Sequence, residues 1–101
     1  MKHIYTLAAA LIISTLSYAQ TLNESQGSGS GQSISTGDYN TFYGDSSAST
    51  IYSGGLNTII GYKAGFFQTT AYDNVFIGAG AGGGTTTGTD NTVIGTRAGG
   101  W

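Results

Sequence analysis

The chain has no cysteine, a single histidine, few charges and no apolar run of bilayer length, and each shortage removes a class of function. Without thiols there is no disulfide framework, no cysteine nucleophile and no ordinary zinc site. The histidine, His3, lies in a stretch that reads as a removable leader, so a histidine-based triad is not available to the mature chain. Serine and threonine are abundant, but none has a neighbouring base, and Lys63 is the one lysine beyond the leader. Lys63 and Arg97 are too few to neutralise a run of phosphates, which argues against nucleic acid as a partner. These absences predict a protein that is not an enzyme and needs no cofactor or metal.

At the start, Lys2 and His3 precede an apolar run over 7–13 and then Ser17-Tyr18-Ala19. A charged start, a short apolar region and small residues before a cut form a secretory signal, predicting cleavage after Ala19. The apolar run falls short of the ~20 residues of a spanning helix, so no membrane span is expected in the mature chain. Removing 19 of the 101 residues leaves 82, with two cations against Glu24, Asp38, Asp45, Asp73 and Asp90, a net charge of −3. Such a chain is long enough for one small domain but too short to bury a large core. The leader places it outside the cell or on its surface.

What the chain does contain is a repeat. Asn40, Asn57, Asn74 and Asn91 recur every 17 residues, and four positions after each comes Gly44, Gly61, Gly78 and Gly95. The copies DYNTFYG, GLNTIIG, YDNVFIG and TDNTVIG share asparagine, usually threonine, two apolar residues and glycine. Three copies add a second half, Ala64-Gly65, Ala81-Gly82 and Ala98-Gly99; the first has Ser47-Ala48 there and reads as having shifted or lost it. Threonines also fall in register between copies, Thr69-Thr70 against Thr86-Thr87, whereas Tyr52-Ser53 interrupts that row.

Residues 20–36 are rich in glycine, serine and glutamine and read as a flexible lead-in. The alternative is a degenerate polar capping coil, because Asn23 lies 17 before Asn40 and Gly27 and Gly31 keep the glycine phase. Asn23-Glu24-Ser25 also matches the weak three-residue pattern for N-glycosylation.

From residue 37 onward, glycines break every helical apolar series, while Thr, Ile, Val, Phe and Tyr gather between each asparagine and glycine. Each copy predicts a strand of about five residues, a glycine corner, a shorter alanine-centred segment and a second corner. A unit of this length suits one coil of a parallel β-solenoid or β-roll, all-β, with equivalent residues stacked ~4.8 Å apart. Asparagine at an equivalent corner tolerates left-handed angles and can hydrogen-bond its amide along the stack. Coils counted as 37–53, 54–70, 71–87 and 88–104 outrun Trp101 by three residues, so the segment over 37–101 reads as a fragment, unless Trp101 itself closes the stack.

Both members of Phe42-Tyr43, Ile59-Ile60, Phe76-Ile77 and Val93-Ile94 are apolar, although successive strand residues face opposite sides. One member can fill the interior. The other forms an outer apolar stripe that a second copy of the chain would cover, or that simply reflects strand preference.

The units GLNTIIGYKAG, NVFIGAGAG and NTVIGTRAG resemble the Asn-Thr-x-x-Gly-x-x-Ala-Gly repeats of bacterial secreted fibre proteins and phage tail-fibre-like proteins. They are also similar to the head repeats of trimeric autotransporter adhesins, whose unit is usually shorter, with Ser or Ala where this chain has Gly. The resemblance covers about residues 37–101 and implies a left-handed β-roll assembled as a trimer, acting as a surface fibre or adhesin segment toward a host or surface ligand. Nothing within these 101 residues matches a chaperone domain, a coiled-coil stalk or a membrane anchor.

Two local patterns are candidates for chemistry. Gly78 to Gly84 superficially resembles a phosphate loop but has no Lys-Ser/Thr and opens no helix. Asp73 and Asp90 are one repeat apart and would stack ~5 Å from each other, close enough to perturb titration or attract a cation. Asp before Asn is also ordinary turn chemistry, and Tyr39 and Leu56 hold the same position elsewhere. Besides the fibre module, an ice-binding solenoid with a threonine face and a functional amyloid subunit are consistent with the pattern.

Overall fold

A computed structural model describes residues 23–84 and 87–100, and these form a parallel β-solenoid without helix. The leader over 1–19 lies outside the described residues. Eight short strands follow in chain order: β1 (Asn23–Gln26), β2 (Asn40–Tyr43), β3 (Ser53–Gly55), β4 (Thr58–Ile60), β5 (Thr70–Tyr72), β6 (Val75–Ile77), β7 (Thr87–Thr89) and β8 (Thr92–Ile94). They make two sheets, one of five strands in the order β1-β2-β4-β6-β8 and one of three in the order β3-β5-β7. All pairings are parallel and offset by one repeat, as Phe42 opposite Ile59 and Ile59 opposite Phe76 show.

The coils that begin with β2, β4 and β6 therefore each carry one strand in each sheet. The strands last only three or four residues, shorter than expected; in the five-stranded sheet the residue before each repeat asparagine and the glycine four positions after that asparagine both turn the chain. The segment around Ala64, Ala81 and Ala98 is a tight turn, while the second strand lies in the threonine tract ahead of the next asparagine. That tract holds the β-branched residues that favour extended backbone.

The interior is a narrow column. Phe42, Ile59 and Phe76 stack within it, flanked by Ala48, Ala64, Ala81, Ile51 and Ala71, with Ile34 and Val93 packed against them. Only small residues fit on the opposite wall: Gly54, Ala71 and Gly88 occupy one register. A Cβ added to Gly54 would stand 2.0 Å from the Ala71 carbonyl oxygen.

The Gly/Ser-rich stretch continues this stack. Asn23, Glu24, Ser25 and Gln26 pair with Asn40 to Tyr43, and Gly31 N–H donates to the Ser47 carbonyl at 2.9 Å. Ser47 and Ala48 likewise hold the place of Ala64-Gly65 in the next coil. Ala48 keeps the left-handed φ of that corner at 50°, and its N–H donates to the Ala64 carbonyl at 2.8 Å. The second half of the first copy is thus present, with serine for alanine and alanine for glycine.

Candidate functional site

The repeat asparagines are the fold's internal frame. Asn40, Asn57 and Asn74 are buried, and each carboxamide oxygen accepts two bonds from the asparagine one coil on. Asn57 donates to Asn40 Oδ1 through its backbone N at 3.1 Å and through Nδ2 at 2.8 Å. Asn74 does the same to Asn57, and Asn91 to Asn74. The remaining Nδ2 hydrogen ties the ladder to the other sheet, reaching the carbonyls of Gly54, Ala71 and Gly88 from Asn40, Asn57 and Asn74. A carboxamide is the side chain that can serve here, since it supplies an acceptor and two donors from one short stem.

The left-handed corner is not at asparagine. Tyr39, Leu56, Asp73 and Asp90, one residue earlier, carry φ of 62°, 61°, 55° and 60°. Asparagine needs its own N–H aligned with the ladder, so the turn falls on its predecessor, whose side chain points to solvent.

Gly44, Gly61, Gly78 and Gly95 form the next corner, with φ between 124° and 137°. A Cβ on Gly61 would meet the Gly78 carbonyl oxygen at 2.5 Å, so only glycine permits the coils to approach there. Ala64 and Ala81 are buried and Ala98 is half-buried, their carbonyls receiving the N–H of the coil beneath. The predicted repeat residues therefore come together, as stacked columns inside the wall rather than as a cleft.

Asp73 and Asp90 are exposed at the left-handed corner, and their backbone N–H groups donate across to the preceding coil, to the Gly55 and Tyr72 carbonyls. Among the described residues no group of three or more His, Cys, Asp or Glu is placed to hold a metal ion. No helix among them is long and apolar enough to cross a membrane.

Surface-facing columns are what remain available for contact. On the five-stranded sheet, Phe42, Ile59, Phe76 and Val93 point in, leaving Tyr43, Ile60, Ile77 and Ile94 as one outer column. Tyr43 and Ile94 are 60 % and 65 % exposed, and Ile60 and Ile77 between them are half-buried. Beside them run Thr41, Thr58, Val75 and Thr92. On the three-stranded sheet, Thr36, Ser53, Thr70 and Thr87 form a continuous hydroxyl row, with Ser53 Oγ and Thr70 Oγ1 3.4 Å apart. Ser53 thus joins the row that its sequence neighbour Tyr52 interrupts.

A third feature was not anticipated from the sequence: Lys63 and Arg97 line one surface groove, although they are 34 residues apart. Thirty-four is twice the repeat length, and that multiple was the available signal. The fold and its columns define a repeat protein of the parallel β-solenoid class. No protein-family model, curated protein or solved structure matches the chain.

Proposed function

We propose that this chain is an exported, non-catalytic fibre module with a structural or adhesive role, whose stable form is a homo-oligomer of three copies. The observation that carries this reading is the outer apolar column Tyr43, Ile60, Ile77 and Ile94, kept in register over four strands. Covering one isoleucine of that column contributes about 1.5–3 kcal/mol, so a few coils supply an amount comparable to a small domain's whole stability of ~5–15 kcal/mol. The leader before Gln20 and the resemblance of the repeats to secreted fibre proteins and adhesin heads support export and the number three.

Sedimentation tests the assembly, using secreted material whose N-terminus is confirmed as Gln20 by mass spectrometry. Wild type is expected at three times the chain mass, and Ile60→Asp and Ile77→Asp at lower mass, because a carboxylate on the covered face is costly to desolvate. A stable wild-type monomer, or a trimer indifferent to both changes, refutes it. The hydroxyl row Thr36, Ser53, Thr70 and Thr87 favours one second reading, a water-ordering face that binds ice. Faceted ice growth in the same sample, lost on Thr70→Tyr, would replace the fibre reading with that one.

A further inference from the structure

We infer that the corner groove between Lys63 and Arg97 is a binding site for an acidic saccharide, read through its carboxylate and one sugar face. The groove has a volume of about 480 Å³ and is lined by Tyr62, Lys63, Ala79, Gly80, Thr96 and Arg97. That volume lies within the range of small-ligand sites. It arises from the repeat itself. The two positions after the glycine corner carry Tyr62-Lys63 in one coil, Ala79-Gly80 in the next and Thr96-Arg97 in the one after, so the middle coil is notched and its neighbours form the walls.

Its charge sets it apart on an acidic protein. Lys63 and Arg97 are the only cations beyond the leader, and among the described residues neither is ion-paired. Two coil spacings place their backbones ~10 Å apart, a gap their long side chains can close from both sides. The Lys63 ammonium lies 5.3 Å from the Tyr62 ring centre and 5.4 Å from that of Phe66. Those rings hold the cation at the corner without supplying an oxygen acceptor. The Arg97 stem lies over Gly80, whose added Cβ would stand 3.5 Å from Arg97 Cγ. Its guanidinium is a planar fork suited to a carboxylate.

An anion alone would not need the other walls. Tyr62 is 57 % exposed and offers an apolar ring face beside the charges, and Thr96 adds a hydroxyl. A ring face, hydroxyl partners and a paired cationic clamp are jointly the chemistry of a uronate sugar. The groove lies beyond the glycine corner from the Ile60–Ile77 column, so the site stands whether or not that column is covered.

The test titrates the protein with trigalacturonate, its neutral methyl ester and sodium sulfate, following backbone amide resonances. Saturable shifts at Tyr62, Ala79, Gly80 and Thr96 are expected with trigalacturonate. Arg97→Gln should weaken binding about tenfold, the loss of one charge-assisted fork contact. Ala79→Leu, which fills the notch but keeps both charges, should abolish it with the circular dichroism spectrum unchanged. Equal affinity for sulfate would make this a simple anion site and overturn the saccharide assignment, and equal affinity for the ester would overturn the role of charge. Absence of saturable binding, or wild-type affinity in both variants, overturns the site itself.

Discussion

Removing one rung from the asparagine ladder should cost far more in the middle than at the end. In Asn57→Ala the buried N–H of Asn74 loses its acceptor, Asn57 Oδ1, and becomes an orphaned donor costing about 1–3 kcal/mol. Three further bonds go as well: Asn74 Nδ2 to Asn57 Oδ1, and Asn57 Nδ2 to Asn40 Oδ1 and to the Ala71 carbonyl. Each of these contributes about 0.5–1.5 kcal/mol net. Some partners keep other bonds, since Asn40 Oδ1 still accepts from the backbone of residue 57 and Asn74 Nδ2 still reaches the Gly88 carbonyl. The total is about 3–7 kcal/mol by the same magnitudes, a large part of a small domain's stability. Asn91→Ala removes only two donated bonds from an exposed residue, to Asn74 Oδ1 and the Thr89 carbonyl, and should cost about 1 kcal/mol or less. Urea midpoints of the two variants, with hydrogen exchange at the Asn74 amide, measure the difference. Equal midpoints, or undiminished protection of that amide in Asn57→Ala, would refute the ladder as the frame of the fold.

Two further perturbations separate close approach from backbone strain. Gly61→Ala places a Cβ 2.5 Å from the Gly78 carbonyl oxygen and should prevent the coils from stacking, whereas at Gly95 the nearest atom is the Ala98 Cβ at 3.5 Å. Thermal melts should therefore show a severe loss for the first and only the φ penalty, on the order of 1–3 kcal/mol, for the second. Leu56→Gly should stabilise by about 0.5–1 kcal/mol, because exposed Leu56 holds a φ of 61° that glycine adopts without strain. A lower melting temperature would mean that Leu56 makes a contact worth more than its strain.

The 17-residue period, the parallel stacking and the phase of Asn40, Asn57, Asn74 and Asn91 were legible in the sequence. Equivalent residues in a solenoid stack on one another, so the geometric repeat is written as a chemical repeat. The inclusion of 23–36 was masked by composition: Ser25 and Gln26 stand where later coils carry an apolar pair, and the glycine and asparagine phase that remained is also that of a polar linker. Its strand depends on backbone pairing and on Asn23 Oδ1, which accepts from Asn40 N at 3.1 Å, rather than on buried side chains. Only the tertiary structure decided which member of Ile59-Ile60 faces inward, that the left-handed corner falls at Leu56 rather than Asn57, and that Ser53 completes the hydroxyl row. It alone placed Lys63 and Arg97 around Ala79 and Gly80, because a groove between coils depends on which side chains are small in the coil between them, and no single repeat contains all three coils.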